Sequence, residues 1–277
     1  MVGDSRDGLD LLTSYGAGMD ERVEVNRRRW EEMTALHETT YFDDDKAIDD
    51  ELEPFELDEL GDIVGQRLCH LQCHIGGNSI ALARLGATVV GVDFSDVALE
   101  LARRRARDAG YVDRVEFVCA TVDDAVEATG GGFDGVYTSW GVLSWLPNIE
   151  SWARVVHGLL RTRGWLYVAD THPHAAALRW ANCPYGGRDG VYDEDQGDYT
   201  DLEAQFEHPE AWTWNHGIGE IVTALAGAGM RIDRLREHPT IAWHLGDPDH
   251  LVRRTDGMWE VPGSTLPLSF SLRATRE

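Results

Sequence analysis

The sequence predicts an α/β protein: a doubly wound, mostly parallel seven-stranded sheet with an N-terminal helical cap and an inserted lid. Residues 68–93, LCHLQCHIGGNSIALARLGATVVGVD, read as an apolar strand, a tight turn at Gly76 and Gly77, a short helix and a second apolar strand ending on Asp93. Further apolar strand patterns alternate with helical ones as far as Asp170, and the chain closes on a helix, a strand, a loop and a last strand. Short Val- and Leu-rich runs closely flanked by helical signals are how buried parallel strands look, and a parallel pair requires a crossover helix.

In chain order, residues 1 to about 20 are rich in Gly and Asp and are expected to be poorly ordered unless they close over a site. Glu21 to Leu36 reads as helix, and Tyr41 to Leu60 as an acidic connector containing Pro54. The first strand is Arg67–Gln72, its crossover helix Asn78–Leu85, and the second strand Thr88–Asp93. Ser95 is a good N-cap for a helix to about Ala109 that stops at Gly110. Val115–Ala120 and Phe133–Ser139 are the third and fourth strands, the latter leading through a Gly141–Asn148 loop into a helix over Ile149–Leu160, and Gly164–Asp170 is the fifth. Residues 175–216 mix turn residues, acids and aromatics, which marks an insertion. Helix 217–228, strand 231–237, an excursion over 238–267 near the site and a final strand 268–275 complete the pattern. The division expected is an N-terminal extension and cap over 1–60 and one domain over 61–277 carrying the insertion.

Composition narrows the partners. Forty-nine acidic against 25 basic residues give a net charge of −24, a surface that repels nucleic-acid phosphates and anionic lipid. Cys69, Cys73, Cys119 and Cys183 show no Cys-x-x-Cys spacing, and three fall in or beside apolar strands as small hydrophobes, which suits a reduced chain. The acidic N-terminus has no apolar signal region and no stretch approaches the ~20 apolar residues of a membrane span, so a cytoplasmic protein is expected.

A glycine turn, a helix N-terminus and an acid ending the second strand make a nucleoside pocket, with Asp93 placed to accept from both ribose hydroxyls. Together with the C-terminal strand pair, this order resembles the class I S-adenosylmethionine-dependent methyltransferases over roughly residues 60–277, GVDFS at Gly91–Ser95 being the most family-like string. The resemblance implies a Rossmann-like methyltransferase fold and S-adenosylmethionine as cofactor. It also implies Gly76 and Gly77 at the methionine part, Asp93 and Phe94 at the ribose, and the end of strand three at adenine. The departures are specific. The family's usual acid in strand one is His70, and the first two positions of its Gly-x-Gly-x-Gly turn are Gln72 and His74. HLQCHIGG is similar to a variant in a bacterial branch of small-molecule methyltransferases, where Gln72 and His74 supply polar groups to the carboxylate end of the cofactor. Thr121 stands where the family often has Asp, leaving adenine to Thr121, Val122 or Asp123. An NAD-type oxidoreductase uses the same nucleoside logic but needs a Gly-x-Gly-x-x-Gly string that is missing here. A cofactor-binding protein that does not methylate is the other alternative.

Methyl transfer needs in-line approach, a dry pocket and sometimes a base, with candidate groups at the ends of strands four and five. Strand four offers Ser139, expected to bind the cofactor, and Trp140, and strand five offers Asp170, His172 and His174. His172 suits a general base with Asp170 beside it, or it simply bonds backbone before Pro173. Asp170, His172 and His174 form a weaker candidate for a metal site, and no metal is expected. Trp140, Trp145, Trp212 and Trp214 lie on loops of the cofactor side, where they exclude water or hold a cation by its attraction to their faces, or only pack. Substrate contacts are expected from Trp30, His37, Trp140, His174, Trp214 and His216, the first two as part of a lid. The acidic tract Asp193–Asp198 is expected on the outer face, since adjacent carboxylates are not buried unpaired. The acceptor expected is a small molecule, methylated on O or N, with C-methylation open.

Overall fold

The computed structural model describes residues 20–40, 52–179, 184–194, 198, 201, 203–243 and 251–277. The expectation for residues 1–19, most of the connector over 41–51, Cys183 and residues 195–197 lie outside these. In chain order, α1 (Glu21–Thr40) and α2 (Pro54–Leu60) precede an alternation of β1 (Arg67–Leu71), α3 (Gly77–Arg84), β2 (Thr88–Asp93), α4 (Asp96–Asp108), β3 (Val115–Cys119), α5 (Ala125–Thr129), β4 (Phe133–Ser139), α6 (Ile149–Leu159) and β5 (Leu160–Thr171). Then come α7 (Pro173–Arg179), a hairpin of β6 (Val191–Asp193) and β7 (Ala211–Thr213), α8 (Ile218–Gly227) and β8 (Met230–His238). A small sheet of β9 (Thr240–Ile241), β10 (Val252–Arg253) and β11 (Trp259–Glu260) precedes the last strand, β12 (Ser269–Arg276).

The seven-stranded sheet runs β3-β2-β1-β4-β5-β12-β8, parallel as far as β5, with β12 antiparallel to both its neighbours. The chain order reverses between β1 and β4, so a crevice opens outside their carboxyl ends. Alternating side chains serve two cores. Leu71, Val136, Leu166 and Val168 pack under α6 and α8, whereas Leu68, Tyr137, Tyr167 and Ala169 face α3, α4 and α2. Ser95 caps α4 by accepting from Ala98 N at 3.1 Å, as its sequence position predicts.

Five features differ from the sequence reading. The connector ends in α2, where Pro54 occupies the first turn and the Glu56 carboxylate accepts from Glu53 N at 2.9 Å. Proline there starts a helix because its missing N–H has no intrahelical partner to lose. The insertion opens with α7, and the 238–267 excursion holds the β9–β11 sheet. Cys119 is exposed, while Cys69 and Cys73 are buried. Asp198 is buried, not outward-facing, because His37 pairs with its carboxylate, whereas Asp193 and Glu194 are exposed.

Candidate active site

The turn after β1 keeps the backbone shape of a glycine-rich loop without most of the glycines. Gln72, His74 and Gly76 all have positive φ, at 54°, 47° and 77°. Two non-glycine residues in this region cost about 1–2 kcal/mol each, so the surrounding structure over-determines the loop. Only at Gly76 is a side chain barred outright, since a Cβ would lie 2.7 Å from the Phe117 ring and 2.8 Å from Ala102 Cβ. Asp93 holds the loop from below: its carboxylate accepts from His74 N at 2.8 Å and Ser95 N at 3.0 Å. Burial pushes Asp93 up to about 6 against the pull of the Ser95, His74 and Phe94 amides, and a carboxylate with about four acceptor sites keeps room for a ribose hydroxyl. Gln72 donates to Val142 O at 3.0 Å, while its Oε1 is buried with no partner. A buried orphan acceptor beside a cradle closed to any Cβ fits a ligand that carries donors, as the ammonium and hydroxyls of S-adenosylmethionine do.

The family's strand-one acid is replaced by a neutral pair. His70 Nδ1 lies 2.8 Å from Ser79 Oγ, and burial pushes His70 down to about 3. At the other candidate positions the chain meets its own polar groups. Thr121 closes a turn by donating to Asp124 Oδ2 at 2.7 Å, Val122 packs against the core, and Ser139 is buried at the end of β4. Phe94 is half-buried, its carbonyl accepting from Cys119 Sγ at 3.7 Å.

The end of β5 is spoken for. Asp170 accepts from the amides of Gly141, Leu143 and Thr171 at 2.7, 3.0 and 2.7 Å, which fixes the loop after β4, and burial raises its pKa against those bonds. His172 has both ring nitrogens engaged: Nδ1 accepts from His174 N at 3.1 Å and Nε2 lies 2.9 Å from Glu237 Oε1. This geometry favours the bland alternative for His172 and a positioning role for Asp170. Half-buried His174 packs edge-on against His172. Among the described residues no group of three or more His, Cys, Asp or Glu side chains is arranged to hold a metal. His216 bonds Leu146 O at 2.7 Å and borders a surface cavity with Glu150, Tyr185 and Arg188, while Trp214 is 1% exposed beneath the Arg22 guanidinium and packs in the interior.

Trp140 is held by a network that sequence reasoning missed. Its φ is 49°, its Nε1 donates to Glu56 at 3.0 Å, and its ring meets Phe55 and Trp243. Glu56 also accepts from Tyr137 OH at 2.8 Å, which in turn accepts from Asn78 Nδ2 at 2.9 Å. Burial pushes Glu56 up to about 7. The signal available was the string EPFELDEL, an acid–proline helix start with a second acid three residues on.

The N-terminal helix comes down on the loop. Asn26 exchanges both amide bonds with the Trp212 backbone at 2.8 Å, and Arg29 donates to Pro209 O, which ties α1 to the segment before and in β7. Trp30 packs edge-on against His74 and Trp145, at 5.1 and 5.2 Å between ring centres. His37 Nδ1 lies 2.8 Å from His74 Nε2, and His37 Nε2 lies 3.1 Å from Asp198 Oδ1. The structure thus brings Trp30 and His37 to the cofactor loop, while Trp214, His216 and His172 stand apart from them in other contacts.

Comparison with known proteins agrees with this geometry. A family model described as "Methyltransferase domain" matches residues 69–166. The chain is 29% identical over 131 residues to a ubiquinone biosynthesis O-methyltransferase of Paracidovorax citrulli, covering 46% of this chain and 54% of that protein. It spans about half the length of such curated relatives. A 63-residue stretch is 43% identical to the 23S rRNA (uracil(1939)-C(5))-methyltransferase RlmD of Azoarcus sp., covering 23% of this chain and 14% of that one. In fold, it is similar to an S-adenosylmethionine-dependent methyltransferase from Clostridium acetobutylicum, with a TM-score of 0.57, 12% identity, and 90% and 99% of the two chains covered. Residues 69–166 thus match a methyltransferase domain, set in a seven-stranded sheet with the topology of the class I S-adenosylmethionine-dependent methyltransferase fold.

Proposed function

We propose that this protein moves the methyl group of S-adenosylmethionine to a small-molecule acceptor, on oxygen or nitrogen, in the cytoplasm. The single observation that carries the cofactor end is the left-handed backbone kept at Gln72, His74 and Gly76 above Asp93. Strained backbone at side-chain-bearing residues clusters at ligand clamps, and here two such residues fall in one loop. The bound cofactor supplies a sulfonium-activated methyl group. Asp93 holds the ribose, Gln72 Oε1 and the loop amides meet the methionine end, and Thr121 and Val122 border adenine. Ser139 at the end of β4 meets the cofactor, and Trp140 just after it borders the acceptor.

The lid supports a small acceptor. Trp30 and Trp145 close over His74 with their rings, and the Asn26–Trp212 bonds fasten α1 to the insertion. A closed aromatic roof excludes water from a nucleophile that must shed its shell before attack. The net charge of −24 opposes an RNA acceptor, because a strongly acidic surface repels a phosphate backbone. Among the described residues no helix is long and apolar enough to cross a membrane.

The test is a mass-spectrometric screen of metabolite extracts with the purified chain and S-adenosylmethionine. Gain of one methyl group with matching S-adenosylhomocysteine formation is expected. Cofactor binding without any methylated product supports a binding protein instead, and failure to bind S-adenosylhomocysteine removes the reading altogether.

A further inference from the structure

Three residues far apart in sequence meet in one hydrogen-bonded line: Asp198 from the insertion, His37 from α1 and His74 from the cofactor loop. The His37 and Asp198 side chains are 0% and 1% exposed. A carboxylate only accepts, so His37 Nε2 carries a proton toward Asp198. With His37 neutral, as the relay below takes it, its other nitrogen is an acceptor, which makes His37 Nδ1 the receiver and His74 Nε2 the donor. The same rule applied once more leaves Nδ1 of His74 with a bare lone pair, and among the described residues that atom has no hydrogen-bond partner. Burial, the largest cause, pushes His74 down to about 3, so it rests neutral as this assignment requires.

We infer that Asp198, His37 and His74 form a proton relay whose open end, Nδ1 of His74, takes the proton from the methyl acceptor. The inference rests on the methyl-transfer reading above and moves the base from the end of β5 to the loop after β1. Transfer breaks the O–H or N–H bond of the acceptor and the C–S bond to the methyl group, forms the bond from the acceptor to the methyl carbon, and returns the C–S electron pair to sulfur. The released proton binds His74 Nδ1, the Nε2 proton of His74 passes to His37 Nδ1, and the positive charge ends on His37 facing the Asp198 carboxylate. His74 is the catalytic residue in this scheme, and His37 and Asp198 are positioning residues. Because two of the three come from the cap, the base is complete only when α1 and the insertion are docked.

The test is nitrogen NMR of the full-length chain, labelled at the histidine rings, with S-adenosylhomocysteine as the probe. His74 is expected neutral, with its proton on Nε2 and a scalar coupling across the hydrogen bond to His37 Nδ1. A proton on His74 Nδ1, or no coupling to His37, overturns the relay, and this readout needs no variant. His37→Gln keeps a donor toward Asp198 and an acceptor toward His74 but cannot pass a proton. It should retain S-adenosylhomocysteine affinity within about twofold and the same His74 tautomer, while slowing formation of the product found in the screen by about 10² or more. Undiminished transfer by His37→Gln overturns the relay and leaves methyl transfer standing. A wild-type chain that binds no S-adenosylhomocysteine instead overturns the reading on which the relay rests.

Discussion

The ends of β1 and β5 are both rich in polar side chains, yet they use them in opposite ways. At the end of β5, Asp170 is filled by the amides of Gly141, Leu143 and Thr171, and His172 is bonded at both nitrogens. After β1, Gln72 Oε1 is buried with no partner, beside an Asp93 that the Ser95, His74 and Phe94 amides hold in place. The first arrangement is closed and rigid, and the second keeps capacity for a ligand at the cost of strained backbone. A polar residue at the carboxyl edge of a parallel sheet is therefore a candidate for chemistry only after its bonds within the chain are counted.

The sharpest way to break this contrast is Asp170→Ala. It leaves one buried and two half-buried amides unpaired, and a loss of about 3 kcal/mol of stability is expected in denaturant unfolding. A loss near zero would show that Asp170 is not what holds the loop after β4. Next comes Glu56→Gln. With its folded-state pKa raised from 4.5 to about 7, Glu56 contributes fully below pH 4.5, and that contribution is lost as pH rises toward 7. The neutral amide escapes this loss, so the variant should gain about 3 kcal/mol over wild type above pH 7 and nothing below pH 4.5. Thermal melts of the two proteins across that window check the sign. The smallest effect is expected from Gln72→Gly, where relief of about 1 kcal/mol of backbone strain is offset by glycine's greater unfolded-state freedom. Stability should move by less than about 1 kcal/mol, while S-adenosylhomocysteine binding weakens because the side chain is gone. A large stability loss with unchanged binding would make Gln72 a structural residue.

Much of the sheet was legible because its signals are local: Val- and Leu-rich runs, the Ser95 cap and the GVD string each sit within one element. The cofactor loop was legible through Gly76 and Asp93, whose side-chain requirements follow from the turn itself. The cap was not. α1 was visible as a helix, but nothing in it marks Asn26 as the residue that grips the Trp212 backbone, a contact 186 positions away. Asp198 was assigned outward by a sound rule about unpaired carboxylates, and the rule failed only because its partner, His37, lies 161 residues upstream. His172 and Asp170 looked catalytic by residue type and strand position; their saturation by Glu237 and the loop amides depends on β8 and on a tight turn whose closure no spacing reveals. α2 was a different kind of miss, since a helix start at Pro54 was readable from the acid–proline pattern.

The central claim is that the ligand-ready end of the sheet is the β1–β2 edge, with Asp93 as its ribose acceptor. Calorimetric titration of S-adenosylhomocysteine into wild type and Asp93→Ala tests it most directly, repeated from pH 8 down to pH 5. Asp93→Ala should cost about 1.5 to 3 kcal/mol of affinity, the range for hydrogen bonds to a charged group. Because burial holds Asp93 at about 6, wild-type affinity should also weaken as pH falls through that value, and the variant should lose this dependence. Equal affinity in the two proteins, flat across the same pH range, would contradict the claim.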